Sequence, residues 1–250
     1  MDLPPVGLGT MGITDPDALR TALDVGYSHV DTAQIYDNES VVGDGLAAAD
    51  PTDVTVATKL WTDGLAADAV RPSTASSLDR LGLDSVDLLY VHRPRGDYDP
   101  ETTLPALEAV REAGLTRHVG LSNFDIEQLR TAAEYVDIAA HQVEFHPYFG
   151  QQSLLEHAQR HDYPLVAYSP LAGGQVFEDP TIREVAEKHD TTPAAVAVAW
   201  VTSHDNVVTI PKASSRAHLA GNLAAADLDL DGDDIASIDA IEREEELFPE

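Results

Sequence analysis

His29-Val30-Asp31-Thr32-Ala33-Gln34-Ile35-Tyr36-Asp37-Asn38-Glu39 reads as a short strand that delivers an aspartate at its end, then a turn that presents a tyrosine. A carboxylate and a phenol at one strand tip form a proton-handling pair that still needs a cation. A tyrosine titrates near about 10, too high for an efficient acid at neutral pH, so a neighbouring positive charge must favour its phenolate. Two further strands bring candidates. Lys59 ends Val54-Thr55-Val56-Ala57-Thr58-Lys59, and His92 ends Val86-Asp87-Leu88-Leu89-Tyr90-Val91-His92. Asp31, Tyr36, Lys59 and His92 therefore follow three successive strand ends, one strand–helix unit apart.

Outward from this stretch the alternation continues in both directions. Residues 6–12 are a glycine-rich opening without the spacing of a dinucleotide-binding G-x-G-x-x-G. A helix over 14–25 has Pro16 in its first turn and stops at Gly26. After the strand at 29–31, a helix runs from 38 or 39 to 49. Strands follow at 54–59, 86–92, 118–121, 138–145, 164–168 and 207–210, with a weak eighth at 228–230. Helices fall at 65–81, 101–113, 126–135, 153–161, 181–188, 193–201, 215–225 and 233–244. No linker or low-complexity segment interrupts them, so 1–250 is expected to be one domain. Eight strands with interleaved helices in 250 residues have the rhythm of a single-domain α/β fold, the (β/α)8 TIM barrel. The competitor is an open doubly wound sheet. Polar residues at the ends of nearly every strand favour the barrel, because an open sheet concentrates its site at one switch point.

Composition narrows the function classes. Acids number 44 against 15 lysines and arginines, a formal net charge of −29. A phosphate backbone would be repelled, so nucleic acid is not an expected partner. No apolar run is long enough to span a bilayer, and the start Met1-Asp2-Leu3-Pro4-Pro5 has no signal-like core, so no membrane partner and a cytoplasmic location are expected. With no cysteine there is no thiol nucleophile or thiolate metal site. His92, His141 and His146 do not suggest a metal hydrolase either: His141 and His146 are five apart, on opposite faces of a strand, and no metal is expected.

The strings HVDTAQIYDNE, VATKLW, DLLYVHRP, VGLSNF, HQVEFHPY, YSPLAGG and VVTIPKASS occur in an order and spacing that resemble the aldo-keto reductases, in a short prokaryotic or archaeal form, across essentially the whole chain. The resemblance implies a barrel, monomeric or weakly oligomeric, that reduces aldehydes and ketones, small-molecule carbonyl substrates, with NADP(H) or NAD(H). Carried over by position, Tyr36 would be the general acid, Lys59 would lower its pKa, Asp31 would keep Lys59 charged, and His92 would place the carbonyl. Taken singly, Tyr36 is equally a turn tyrosine, Lys59 a snorkelling strand end and His92 a core histidine. Ser122, Asn123 and Gln142 match residues that grip the nicotinamide carboxamide, and Tyr168 the aromatic stacked on its ring. Ser169, Leu171, Ala172, Gly173 and Gly174 would let backbone N–H groups approach the pyrophosphate. Gly9, Thr10 and Met11 would line the nicotinamide side, with Ile210 and Lys212 further along.

Where the family usually carries a serine and an arginine around the ribose 2′-phosphate, this chain has Ala213 and His218. Asn222, expected at the adenine, is kept. Arg216 is close enough in sequence to compensate. Weakened discrimination for NADPH is the expectation. Trp61, Tyr90 and Phe145, with Tyr36 and His92, are candidate substrate-pocket residues, and 93–100 is a loop suited to specificity. The chain reaches Phe248-Pro249-Glu250 without the longer tail of many relatives, and its start is short, so an open, permissive pocket is expected. The resemblance also admits a redox-sensing regulatory subunit with little turnover, as in the family's potassium-channel β-subunits.

The acids are spread along the chain, which points to adaptation to salt. Molar salt shortens the Debye length to about 3 Å and screens a self-repulsion that strains the fold in dilute buffer. The melting temperature is therefore expected to be higher in roughly 3 M KCl than in about 50 mM KCl; equal values would refute salt adaptation.

Overall fold

The computed structural model describes residues 1–47 and 53–249. Eight parallel strands lie in sequence order: β1 (Leu8–Gly9), β2 (His29–Asp31), β3 (Thr55–Leu60), β4 (Val86–Val91), β5 (Thr116–Ser122), β6 (Ile138–Glu144), β7 (Leu165–Tyr168) and β8 (Val207–Thr209). The sheet closes through a parallel bridge between Val6 and Thr209, where Gly7 N–H donates to the Thr209 carbonyl at 2.8 Å and Thr209 N–H to the Pro5 carbonyl at 2.9 Å. This is the (β/α)8 barrel. Gly9 sits on the seam, and a Cβ there would fall 2.5 Å from the Ile210 carbonyl oxygen, so only glycine lets β1 approach this closely.

The helices are α1 (Pro16–Val25), α2 (Glu39–Leu46), α3 (Ala67–Leu81), α4 (Pro100–Glu112), α5 (Ile126–Ala132), α6 (Gln152–His161), α7 (Pro180–Lys188), α8 (Pro193–Thr202), α9 (Arg216–Ala224) and α10 (Gly232–Asp239). Their starts follow from local chemistry. Asp15, Asp99, Asp179 and Thr192 each cap a helix with proline in its first turn, and Asp125 and Asp231 form capping boxes. The end of the helix expected to reach residue 49 lies outside the described residues.

Two apolar layers result. An outer layer packs strands against helices, including Leu19, Leu89, Leu107 and Val196. An inner cluster of Ala57, Leu88, Tyr90, Ala140, Val166, Val208 and Ile210 fills the barrel, with Met1 and Leu3 packed against it. The sequence reading counted eight strands, but one of them is misplaced and one strand was missed. The glycine-rich opening supplies β1, and 228–230 is irregular. Its leucine–aspartate alternation is satisfied without pairing: Leu228 and Leu230 pack on the outer core while Asp227, Asp229 and Asp231 face water.

His29 and His141 are fully buried in this framework, and burial lowers them to about 4 and about 3. Unfolded, each titrates near about 6.5. Below that value the unfolded chain binds protons that the folded chain refuses, so stability present above pH ~6.5 declines as the pH falls towards the folded values. The cost reaches about 2 kcal/mol per histidine at pH ~5. In molar salt, where relief of acidic self-repulsion is screened, the melting temperature is expected to fall between pH ~7 and ~5; a flat profile would contradict the neutral buried state.

Candidate active site

The C-terminal strand ends open into a cleft of about 470 Å³. It gathers Gly9, Thr10, Met11, Asp31, Tyr36, Trp61, His92, Asn123, Gln142, Tyr168, Ser169, Leu171, Gly173, Ile210 and Lys212, all singled out in the sequence. Lys59 and Ser122 are buried and do not line it. At the far end Ala213 is buried, while Asn222 is buried and His218 exposed on α9. Arg216 is also exposed, 4.0 Å from Asp24.

Lys59 is wholly buried in β3 and forms an ion pair with Asp31 at the end of β2. Its ammonium also donates to the Thr32 carbonyl at 2.8 Å, and Gln142 Nε2 donates to the other Asp31 oxygen at 2.8 Å. The amine lies 5.3 Å from the centroid of the Tyr36 ring, close enough for its charge to act on the phenol. Burial works against the Lys59 charge, but Asp31 and then Tyr36 outweigh it, and its pKa ends above the ordinary value.

Tyr36 behaves differently from the sequence expectation. Burial raises its pKa more than Lys59 lowers it, so the phenol holds its proton above the ordinary tyrosine value. Asp31, behind the amine, adds to the rise. His92 is pushed down to about 2, first by burial and then by the charges of Lys59 and Arg93, so its imidazole is neutral. Its ring meets Tyr36 edge-on at 5.9 Å and Trp61 at 5.0 Å. Its Nδ1 is buried without a partner, which leaves Nε2 to face the cleft.

Gln34 and Asn38, which the sequence reading passed over, and Ser122, Asn123 and Tyr168, which it singled out, hold this arrangement. Gln34 donates to the Ser73 carbonyl at 3.1 Å and to Ser77 Oγ at 3.0 Å, and accepts from Trp61 N–H at 2.9 Å, tying the Tyr36 turn to the loop after β3. Asn38 donates to the carbonyls of Thr10 at 2.8 Å and Ile13 at 3.0 Å. Asn123, at φ 60°, donates to the His92 carbonyl at 2.9 Å and accepts from the Tyr168 hydroxyl at 2.9 Å. Ser122 Oγ accepts from Asn123 at 3.1 Å and so sits behind it. Gln34 and Asn38 carried a signal in being polar residues beside a reactive turn.

Two pocket expectations are corrected. Tyr90 is fully buried in the barrel cluster, its ring filling the space a Cβ on Gly120 would occupy, and Phe145 stacks on Trp200 of α8 with centroids 5.5 Å apart. Neither lines the cleft. Nor is the mouth left open by a short end. Phe248 lines the cleft and meets Tyr168 edge-on at 5.8 Å. The buried Glu144 side chain accepts from Leu247 N–H at 2.8 Å and Phe248 N–H at 3.0 Å, which brings the segment across. Gly174 and Arg93 also line it, and Ile35, Pro170 and Pro211 do so unforeseen. Among the described residues no three metal-ligating side chains converge, and no helix is long and apolar enough to cross a membrane.

Comparison with known proteins agrees with the geometry. The model of the Aldo/keto reductase family matches residues 5–243. Methylglyoxal reductase DkgB of Salmonella typhimurium is 38% identical over 256 residues, spanning 97% of this chain and 96% of its own. The uncharacterized oxidoreductase YtbE of Bacillus subtilis is 32% identical, spanning 100% of this chain and 93% of its own. The crystal structure of MGS-M4, an aldo-keto reductase from a Medee basin deep-sea metagenome library, superposes with a TM-score of 0.94 at 30% identity, covering 100% of this chain and 95% of that one. A barrel whose second, third and fourth strands bring an aspartate, a tyrosine, a lysine and a histidine together at one end, matched by a family model over nearly its whole length, is an oxidoreductase of the aldo/keto reductase family.

Proposed function

We propose that this chain reduces aldehydes and ketones to alcohols, with NADPH or NADH as reductant and Tyr36 as proton donor. The observation that carries the reading is the dry Lys59–Asp31 pair set against a protonated Tyr36 and a neutral His92 in one cleft. The relative named as a methylglyoxal reductase points to small reactive carbonyls.

The cleft fits a nicotinamide dinucleotide. Tyr168 offers a half-buried ring at its wall, Asn123 and Gln142 offer amides beside it, and Lys212 stands exposed at the far end. Between them Ser169, Ala172, Gly173 and Gly174 take left-handed φ values of 56°, 46°, 62° and 95°, a tight turn of small residues that exposes backbone to a phosphate. Bound there, the reduced cofactor supplies hydride to the carbonyl carbon.

The protein's own groups handle the oxygen. His92 Nε2–H donates to the carbonyl oxygen and fixes its place. As that oxygen gains negative charge it draws the Tyr36 proton, and the alcohol forms. The phenolate left behind is stabilised by the Lys59 ammonium, which Asp31 keeps charged, until solvent returns a proton. A high Tyr36 pKa suits this sequence, because the proton stays on the phenol until the developing alkoxide becomes the stronger base. Acids other than Asp31, Glu39, Glu144 and Asp234 keep contact with solvent among the described residues, which supports a protein working in concentrated salt.

Tyr36→Phe is expected to lower kcat for a probe aldehyde by about 10²- to 10⁴-fold, with cofactor binding retained. Wild-type protein that binds cofactor but turns nothing over would favour the regulatory-subunit reading. For the cofactor, Ala213 lacks a hydroxyl and His218 lacks a permanent guanidinium, so charge-assisted bonds to a 2′-phosphate are lost. The ratio of kcat/KM for NADPH over NADH is expected below about 1000. A larger ratio would mean that Lys212, or Arg216 reached from α9, supplies the missing contacts.

A further inference from the structure

Behind the pair of Lys59 and Asp31 stands a side chain that the proposed chemistry leaves unused. β3, β4 and β5 place Lys59, Tyr90 and Gly120 side by side: the register pairs Lys59 with Tyr90 and Tyr90 with Gly120. Tyr90 is fully buried and belongs to the cluster that fills the barrel, with Leu88, Ala140, Val166 and Val208. Its ring leans into the gap that Gly120 leaves. A Cβ there would fall 2.5 Å from two of the ring carbons, so glycine at 120 is what admits the ring.

The Lys59 ammonium therefore has two aromatic neighbours. Tyr36 reaches it from the cleft, its ring centroid 5.3 Å away, and Tyr90 from the barrel interior, its centroid 5.8 Å away. At such distances an ammonium over a ring face is attracted by the ring's quadrupole, and the attraction grows where water is excluded. Lys59 is wholly buried, so ring faces replace part of the hydration its charge has lost. Tyr90 keeps its proton: burial, and then the Asp31 charge, raise its pKa well above the ordinary value, so it offers a neutral face and no competing phenolate. The other titratable groups that feel the ammonium are Asp31, Tyr36, His29 and His92, and both histidines are neutral.

We propose that Tyr90 is a positioning residue for Lys59: its ring face holds the ammonium from the interior side, beside Asp31 and the Tyr36 phenol, and proton transfer from Tyr36 depends on that ring. The inference rests on the reductase reading and adds a residue to the same site. It follows from the need for a fixed charge. An ammonium free to draw back into the barrel would stabilise the nascent phenolate less, and small misplacements of a charged group are costly in rate. The attraction belongs to the ring face, which phenylalanine shares and leucine lacks.

The test compares wild type with Tyr90→Phe, Tyr90→Leu and the double variant Tyr90→Leu/Gly120→Ala, which returns volume to this layer without returning a ring. Lys59, Lys188 and Lys212 are the lysines of the chain, and the last two are exposed. Protein isotope-labelled at the lysine Cε carbons and titrated by NMR therefore reads the buried Lys59 apart from the others. Its pKa is expected to fall by about one unit in Tyr90→Leu and in the double variant, and to hold in Tyr90→Phe. With a probe aldehyde, kcat is expected to fall about 10-fold in the two leucine variants and to stay within about twofold in Tyr90→Phe. The aldehyde KM and the Kd for NADP⁺ do not move, because Tyr90 does not line the cleft. The melting temperature separates packing from charge: it recovers in the double variant, and kcat does not. Tyr90→Phe as impaired as Tyr90→Leu, turnover restored by adding Gly120→Ala, or a Lys59 titration indifferent to the ring overturns the role of Tyr90 and leaves the reductase standing. A ring-dependent Lys59 titration in a wild-type protein that reduces no aldehyde overturns the reductase reading and leaves Tyr90 as the holder of the charge.

Discussion

The buried ion pair between Lys59 and Asp31 is the interaction the rest of the cleft depends on. Moving two charges out of water costs several kcal/mol per ion even after relaxation, and such a pair is often no more stabilising than apolar residues of the same size. Its presence at a barrel end is better explained by what it does to its neighbours. The ammonium donates to Asp31 and to the Thr32 carbonyl and lies beside the Tyr36 ring. Each Asp31 oxygen has a donor: Lys59 and Gln142. An amine so held stays charged despite burial, and a fixed charge beside a phenol lowers the cost of removing its proton at the moment a substrate oxygen demands it. The raised resting pKa of Tyr36 and its work as an acid are then compatible, because catalysis depends on the difference between ground and transition states.

The same economy of charge separates the inside of this protein from its outside. The buried acids among the described residues each answer a specific partner: Glu39 holds Arg80 and the Thr58 hydroxyl, Asp234 holds Lys188 and His189, and Glu144 holds His146 and two backbone amides. The remaining acids keep contact with water, where salt can screen them. The cleft differs: among the described residues its one lining carboxylate, Asp31, is committed to Lys59 and Gln142, and Lys212 stands exposed at its far end.

Much of this was legible in the chain. The alternation of apolar runs with capped helical stretches gave the barrel, and the polar residues at 31, 36, 59, 92, 123 and 142 converge where strand-end logic puts them. What was hidden has physical reasons. β1 is two residues long and carries no periodicity, so its pairing with β2, Leu8 beside Val30 and Gly9 beside Asp31, shows only in the folded barrel. Tyr90 and Phe145 both sit near strand ends, but the pleat and the surrounding bulk turn one into the barrel and the other onto α8. The net direction of the Tyr36 shift needed the amount of burial, which the sequence does not contain. Phe248 reaches the cleft through two backbone amides on a glutamate 103 and 104 residues earlier, a pairing with no local signature.

Side-chain amides and a carboxylate join the loops around the cleft to one another. Gln34, after β2, fixes the backbone after β3 and meets α3. Asn38, also after β2, fixes the loop after β1. Asn123, after β5, fixes His92 after β4 and receives the hydroxyl of Tyr168 at the end of β7. Glu144, at the end of β6, fixes the segment carrying Phe248. Gln34, Asn38 and Asn123 each tie neighbouring strand ends together, and Glu144 ties in the C-terminal segment, so Tyr36 and His92 are steadied by a partial ring of cross-links around the barrel mouth. Such a ring explains how a site of short, polar loops can hold a phenol, an imidazole and an amine in register: the strands supply rigid posts, and the amides between them remove the freedom the loops would otherwise keep.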